Sequence, residues 1–368
     1  MSPKKVVFVG VNTPNPEQET GLYSLFLDED SGKLEVAQKF DAPKNIGFFH
    51  LDEPNFLYAL SGGGINKTES PNDLWRFKLD RSNPQNLLEP YHIQLDDGSG
   101  QHDGACYITV SKEDPKRLVI AYYFTGNTDV YKEVDNKLVR ESTIQFKDFS
   151  NVDKERQEKS HPHCVIPVEE NNIQDYFVVD LGADRVYLIH VNDDHKVSIS
   201  DSIQVPAGAG PRHVVKHPSS PLLFVLNELD NTLLVYKVNS NRTFTLTDKH
   251  TTLVRSETDV VVESDKIQNA AHLAVSNDGQ YVLCSNRGTL NNIVSFKIVD
   301  LEHGKVKVQS VAGPGGHFPR YFALHGKFLL VANQKSKNVV VFRFENGQIK
   351  EKVSEVNVNG NPIALSIH

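Results

Sequence analysis

Short apolar segments alternate with polar turns along the whole chain, and the long 3.6-residue periodicity that predicts helices is nearly absent. The segments are rich in Val, Leu, Ile, Phe and Tyr, which is typical of β-strands. Six of them begin a pair, at residues 56–60, 118–122, 177–180, 222–226, 281–285 and 328–332. Their partners follow after a polar turn, at residues 74–79, 128–131, 185–190, 232–238, 293–298 and 339–344.

A further apolar segment precedes each pair, and a seventh such segment stands at the C-terminus. These inner segments are anchored at Gly47, Ala105, His163, Arg212, Ala271, Arg320 and Pro362, which are 42 to 59 residues apart. A repeat of about 50 residues with four short strands is the signature of a β-propeller blade. We therefore predict an all-β fold, a seven-bladed β-propeller with four-stranded antiparallel blades, which forms a single domain over residues 1–368.

The two ends of the chain are expected to complete one blade together. Residues 6–40 supply outer strands without an inner strand, whereas the seventh inner segment falls at the C-terminus. Pairing of the terminal strands would close the ring and remove free sheet edges. A pair of β-sandwiches is the alternative that this pattern leaves open.

Charge and cysteine content narrow the class of protein. The formal net charge of −8 disfavours a nucleic-acid binder, but a local basic pocket could still bind a small anion. Cys106, Cys164 and Cys284 are too few for a disulfide framework and lack metal-type spacing, which predicts reduced thiols in a cytoplasmic protein. The apolar run at residues 6–11 is too short for a signal peptide or a membrane span, so we expect neither.

Polar side chains collect at one end of the predicted blades. Because the strands are antiparallel, each inner strand starts beside the turn that ends the second strand. The inner-strand starts carry His163, Arg212, His213, His272 and Arg320, with His161 and His317 close by. The turns contribute Asp180, Glu228, Arg287 and Lys335. We predict that these residues ring one mouth of a central channel.

Such a mouth suits an anionic ligand. Arginine forms bidentate hydrogen bonds with carboxylate or phosphate, and histidine can serve as acid or base near neutral pH. The same residues would also suit a water-filled channel without catalysis. Asp180, Asn227 and Glu228 could hold a hard cation, but no calcium-loop spacing supports one, so we predict no metal and no cofactor. The polar loops at residues 149–160 and 254–268 are candidates for a rim or lid.

Several motifs resemble the seven-bladed propeller lactonases, a family that includes 6-phosphogluconolactonases of the propeller type and fungal 3-carboxy-cis,cis-muconate cyclases. The resemblance is most specific in GAGPRHVVKHP from Gly208 and FVLNEL from Phe224. It extends to SHPHCV from Ser160, SNDGQYVLCSNR from Ser276 and LLVANQKSKNVVVF from Leu329. It implies a metal-free pocket at one channel mouth that acts on lactones of sugar acids or on muconates.

The resemblance also implies roles for individual residues. Those proposed for the muconate cyclases match His163, Arg212, Glu228 and Arg287, where the His and Glu would transfer protons and the arginines would hold substrate anions. Many relatives have an acidic residue in the place of Asn286. The residues expected to bind substrate are Arg212, Arg287, His213, Arg320 and His272.

We therefore predict a lactone hydrolase in which Glu228 or His163 takes a proton from water and a cation stabilises the oxyanion. Its partner would be a small lactone that bears phosphate or carboxylate, such as 6-phosphoglucono-lactone, with no nucleic-acid or membrane partner. Two alternatives stay open. One is a muconate lactonising cyclase, which would use the same acid and base. The other is a non-catalytic propeller scaffold.

Overall fold

The computed structural model describes residues 3–13, 21–62, 72–95, 99–100, 102–112, 116–169, 174–240 and 242–368, and its regular elements there are all β-strands. No helix in these residues has the length and apolar character to cross a membrane. In chain order the strands are β1 Lys4–Asn12, β2 Leu22–Asp28, β3 Leu34–Phe40, β4 Ile46–Asp52, β5 Phe56–Ser61, β6 Asp73–Leu79, β7 Leu87–Gln94, β8 Ala105–Val110, β9 Arg117–Tyr122, β10 Asn127–Val134, β11 Lys137–Gln145, β12 Pro162–Pro167, β13 Asp175–Asp180, β14 Arg185–Val191, β15 Val197–Gln204, β16 Pro211–Lys216, β17 Leu222–Asn227, β18 Thr232–Val238, β19 Phe244–Thr251, β20 Val260–Val261, β21 Gln268–Val275, β22 Tyr281–Gly288, β23 Leu290–Asp300, β24 Lys305–Ala312, β25 Pro319–His325, β26 Phe328–Asn333, β27 Asn338–Glu345, β28 Gln348–Asn357 and β29 Asn361–Ile367.

Consecutive strands form seven sheets in the described parts of the chain. Six sheets contain four strands each, in the orders β29-β1-β2-β3, β4-β5-β6-β7, β8-β9-β10-β11, β12-β13-β14-β15, β16-β17-β18-β19 and β25-β26-β27-β28. The seventh contains β21-β22-β23-β24 and the short β20, which pairs with β23 at Leu290 and Asn291, ahead of the segment that pairs with β24. The predicted groups of strands therefore correspond to individual sheets.

Two compact units divide the chain. The first comprises Met1–Asp41 and His213–His368, and the second comprises Ala42–Arg212. The three sheets β4–β7, β8–β11 and β12–β15 belong to the second unit, and the other sheets belong to the first. Strand β16 starts with the last two residues of the second unit and continues into the first. The single domain over residues 1–368 stays a prediction.

The first and last strands of the chain share a sheet. Strand β1 pairs with β29, with Val7 opposite Ile367 and Val9 opposite Leu365, and on its other side it pairs with β2. Val7, Val9 and Leu365 are buried in one apolar cluster. The expected completion of one sheet by the two chain ends is therefore confirmed, and β1 has no unpaired edge.

The apolar cores lie between neighbouring sheets, as β22 shows in the first unit. Its side chains alternate, so that Val282 and Cys284 pack into a cluster with Phe224 of β17. Tyr281 and Leu283 point the other way, into a cluster with the strands of the β25–β28 sheet. A strand buried on both faces needs apolar residues at nearly every position, which explains why the second strands read as continuous apolar runs.

The cysteines are unbridged thiols, as expected. Cys164 and Cys284 are buried, and Cys106 is half-buried. Burial raises the pKa of the Cys284 thiol well above its ordinary value, so this residue behaves as a small apolar side chain. The cytoplasmic location stays a prediction.

Replacement of Phe224 by alanine tests the core between the β16–β19 and β21–β24 sheets. Phe224 is fully buried, so we expect F224A to lower the free energy of unfolding by about 3–5 kcal/mol through lost apolar contact and the cavity left behind. Urea unfolding followed by circular dichroism measures the loss. The matched control is L246A, since Leu246 is 46% exposed and should change stability by no more than about 0.5 kcal/mol. Equal losses in both variants would contradict this packing.

Candidate functional site

A buried ion pair joins two of the predicted residues in the first unit. Glu228 follows β17, and Arg287 lies near the end of β22. Arg287 Nη2 donates to Glu228 Oε2 at 3.1 Å, and the two side chains are only 5% and 2% exposed. Away from water each charge depends on the other, because the cost of burying one alone would be several kcal/mol. The structure therefore places the predicted proton-transfer carboxylate next to a predicted substrate-binding arginine.

The backbone explains why these two residues meet. The amide of Ala270 donates to the carbonyl of Glu228 at 3.3 Å, which attaches the turn after β17 to strand β21. Strand β21 pairs with β22, and its Asn269 lies opposite Arg287. The turn of one sheet is thus connected through main-chain hydrogen bonds to the strand of the next sheet that carries the arginine.

Phe318 lies beneath two cations in the same unit. Its ring centre is 5.2 Å from Arg287 Cζ and 4.5 Å from Lys335 Nζ, distances that allow cation–π attraction. Phe318 has φ +70°, a left-handed conformation that is rare for a bulky residue. The Phe318 amide donates to Asn291 Oδ1 at 2.9 Å, which helps to hold this conformation. Such backbone strain concentrates at functional sites, and nothing in the sequence pattern identified Phe318.

A carboxylate from the loop at residues 254–268 fixes Lys335. Lys335 Nζ donates to both oxygens of Asp265, at 2.7 and 2.8 Å, and His317 Nε2 lies 2.7 Å from Asp265 Oδ2. Burial works to raise the pKa of Asp265, but the hydrogen bonds from Lys335 and His317 outweigh it and hold the pKa below its usual value. Asp265 is therefore ionised at neutral pH and keeps the lysine oriented.

Two asparagines attach this loop to its sheet, and a third asparagine supports one of them. Asn292 Nδ2 donates to the carbonyl of Val254 at 2.8 Å, and Asn291 Nδ2 donates to the carbonyl of Val260 at 3.0 Å. Asn286 is fully buried and bonded to Thr252 and Asn292. Side-chain amides therefore hold the loop at Val254, where it begins, and at Val260, near its middle. The rim or lid role of the two long loops stays a prediction.

Two predicted substrate-binding histidines also meet in the first unit. His213 Nδ1 and His272 Nδ1 are 3.2 Å apart, and both rings are buried. A hydrogen bond between ring nitrogens needs one protonated and one unprotonated nitrogen, so at most one of the rings is an imidazolium while the bond exists. His272 also stacks on Tyr321, with ring centres 3.7 Å apart. Arg320 is half-buried and directly precedes Tyr321 in β25.

The second unit holds His163 in an aromatic setting. The His163 ring, in β12, is buried and meets Tyr123 edge-on, with ring centres 5.7 Å apart. Tyr123 stacks on His161 at 4.4 Å, and its hydroxyl accepts hydrogen bonds from Arg156 Nε and Nη2 at 3.2 and 3.1 Å. Tyr123 directly follows β9, as Glu228 directly follows β17. This equivalent position in the repeat was the signal that could have identified Tyr123 from the sequence.

Asp180 holds the backbone around the start of β12. Its carboxyl group is fully buried and accepts hydrogen bonds from Ser160 Oγ, from the His161 amide at 2.8 Å and from the Ala183 amide at 3.0 Å. Burial raises the pKa of Asp180 to about 6, although these bonds oppose the change. A raised carboxyl pKa means that the folded state binds the proton more tightly, so the contribution of Asp180 to stability falls as pH rises through about 4 to 6.

The predicted residues therefore separate into groups. The first unit brings Glu228 to Arg287 and His213 to His272. His163 belongs to the second unit, and so does Arg212, which is buried in β16. The convergence of all the predicted residues stays a prediction. In the residues that the structure describes, no three His, Cys, Asp or Glu side chains are grouped as ligands of one metal ion.

A double-mutant cycle tests the coupling of Glu228 and Arg287. Removal of either charge leaves the other buried, so we expect E228Q and R287M each to lower the free energy of unfolding by about 3–5 kcal/mol. The free energy of unfolding of the double variant should fall by clearly less than the sum of the two single losses, because neither buried charge is left without its partner. Urea unfolding measures all four proteins. Losses that add to within about 0.5 kcal/mol would show that the two groups are not coupled.

The N286D variant tests the role of Asn286. Its Nδ2 donates to the carbonyl of Thr252 at 2.6 Å and to Asn292 Oδ1 at 2.8 Å, so a carboxylate there would face two oxygens. We expect a loss of about 2–3 kcal/mol at pH 7 that shrinks at acid pH, where a protonated carboxyl can donate again. Thermal unfolding across this pH range measures it. The control is N346D at an exposed turn, and a similar loss there would argue against the explanation.

Comparison with known proteins places the chain in a family. The family described as "Lactonase, 7-bladed beta-propeller" matches residues 6–365. A 6-phosphogluconolactonase of Formosa agariphila is 29% identical across 96% of this chain and 97% of its own length. A 6-phosphogluconolactonase of Bacillus subtilis is 26% identical, across 96% of each chain.

A solved structure has the same fold. The periplasmic gluconolactonase of Pseudomonas aeruginosa superposes with a TM-score of 0.85 at 22% identity, over 99% of each chain. The strand repeat, the sheets and these matches agree, and the predicted all-β, seven-bladed propeller fold is confirmed. The chain therefore belongs to the lactonase family of seven-bladed β-propellers.

Proposed function

We propose that this protein hydrolyses the lactone of a phosphorylated sugar acid, with 6-phosphoglucono-lactone as its substrate. The relatives from Formosa agariphila and Bacillus subtilis bear the name 6-phosphogluconolactonase, and each aligns with nearly the whole chain. The observation that carries the proposal is the buried Glu228–Arg287 pair. It combines a carboxylate that can accept a proton with a cation that can stabilise negative charge, at a position shielded from water.

In the proposed reaction a water molecule attacks the lactone carbonyl. The Glu228 carboxylate accepts a proton from this water as the new carbon–oxygen bond forms. Negative charge then develops on the carbonyl oxygen, where a neighbouring guanidinium such as that of Arg287 would stabilise it. The tetrahedral intermediate collapses, the ring carbon–oxygen bond breaks, and the ring oxygen takes up a proton to give the open hydroxy acid. Protein side chains supply every step.

The other predicted residues have supporting roles. His163 is proposed as the second acid–base group, which would protonate the departing ring oxygen. Arg212 and Arg320 are proposed to bind anionic or hydroxyl groups of the substrate, since arginine offers several donors in a fixed geometry. The bond between the two Nδ1 atoms of His213 and His272 leaves the Nε2 atoms of the neutral rings in opposite protonation states, which suits a sugar hydroxyl that both donates and accepts.

Turnover of purified protein on 6-phosphoglucono-lactone tests the proposal. We expect acid release well above spontaneous hydrolysis, and a fall in kcat of about 100-fold or more in E228Q and in H163A, since general acid–base groups contribute at least this much. R212A should mainly raise KM, because it removes an ionic anchor. H303A is the control for the loss of an imidazole, since His303 is exposed and pairs only with Asp300 among the contacts of the described residues.

The outcomes separate the alternatives. No rate above background with the phosphorylated lactone would reject the proposal. Activity confined to muconolactones or to muconate cyclisation would favour the lactonising cyclase. Ligand binding without turnover of any of these compounds would favour a non-catalytic scaffold. A fall in kcat with H303A as large as that with H163A would show that the assay reports stability rather than catalysis.

A further inference from the structure

The turn after β26 is attached by its backbone to the segment that carries Phe318. The Gln334 amide donates to the carbonyl of Phe318 at 2.9 Å, and the Lys335 amide donates to the carbonyl of His317 at 3.1 Å. These bonds do not involve side chains, so they place Lys335 next to Phe318 irrespective of what the lysine ammonium binds. The position of the lysine is thus built into the fold of the first unit.

The ammonium of Lys335 is oriented but still accessible. Asp265 binds it through both carboxylate oxygens, whereas its side chain remains 41% exposed. An ammonium carries three hydrogen-bond donors, so one can serve a ligand while Asp265 occupies the others. Because the lysine is held in advance, a ligand would lose less side-chain entropy on binding than it would with a freely rotating lysine.

Lys335 and Arg287 differ in their exposure to water. Each lies about 5 Å from the centre of the Phe318 ring, so the two cations are at most about 10 Å apart. A six-carbon lactone with a phosphate at its far end is long enough to reach from one towards the other. Arg287 is buried against Glu228, which suits the reacting carbonyl. A phosphate carries nearly two negative charges and is expensive to desolvate, so it suits the exposed cation.

We infer that Lys335 recognises the phosphate of the substrate and so sets the preference for phosphorylated over unphosphorylated sugar-acid lactones, an inference that rests on the proposed function. Asp265 acts as the positioning residue for the lysine, and the Phe318 ring supports both cations. The buried Arg287 stabilises the charge that develops on the reacting carbonyl. Specificity and catalysis are then divided between the two cations that share one aromatic ring.

Binding of the two reaction products tests this division. Isothermal titration calorimetry gives the Kd of 6-phosphogluconate and of gluconate for the wild-type protein and its variants. K335Q should weaken 6-phosphogluconate binding about tenfold, the loss of one charge-assisted hydrogen bond, and change gluconate binding less than about twofold. K335R, which keeps the charge, should restore most of the affinity. K337Q removes a lysine from the same turn and should alter neither Kd.

The results can separate this inference from the proposed function. A selective loss of affinity for 6-phosphogluconate in K335Q supports phosphate recognition by Lys335, whether or not the lactones are hydrolysed. The absence of lactone hydrolysis would reject only the proposed function. Hydrolysis of the lactones with an equal effect of K335Q on both products would reject only the inference. If K337Q lost as much affinity for 6-phosphogluconate as K335Q, the effect would be one of general charge, and the inference would also be rejected. Failure of the wild-type protein to bind either product would reject both. Unchanged gluconate binding shows that K335Q is folded.

Discussion

Burial of the middle strands on both faces is the constraint on which the rest of this structure depends. Strands β9, β13, β17, β22 and β26 are buried along their entire length, so both of their alternating faces are shielded from water. Polar side chains are therefore concentrated at strand ends, in turns and on the outer strands, such as β15 and β28. The ends and turns are the places where the candidate chemistry stands.

Several charges at these strand ends and turns are buried or half-buried, and they have partners of opposite charge. Glu228 has Arg287, and Asp265 has both Lys335 and His317. The second unit contains a comparable network, in which the fully buried Asp129 lies 3.1 Å from the Nδ1 of His102. Not every such group is available for chemistry. Asp180 has its hydrogen bonds directed to the backbone and to Ser160, which suits it to holding a turn rather than a substrate.

Residues of the site could be predicted where a repeat position or a motif marked them, and not where their role depends on contacts between distant segments. Glu228 and Arg287 were identified by their positions in the repeat and by motifs that resemble the propeller lactonases. Phe318 and Asp265 were missed, because a phenylalanine is usually interpreted as a core residue and an aspartate in a long polar loop as a solvent-exposed one. Lys335 stood out only as a turn residue. Their importance comes from one aromatic ring and one carboxylate that connect segments far apart in the chain.

The sequence by itself determined the strands, their grouping into sheets and the pairing of the two chain ends. These follow from local apolar patterning and from a repeat of about 50 residues, which are properties of short stretches. Only the tertiary structure decided which polar side chains meet, as His213 meets His272 and Lys335 meets Asp265. The reason is physical: a contact between segments dozens of residues apart depends on how sheets pack and where turns are anchored, and no local pattern encodes that distance.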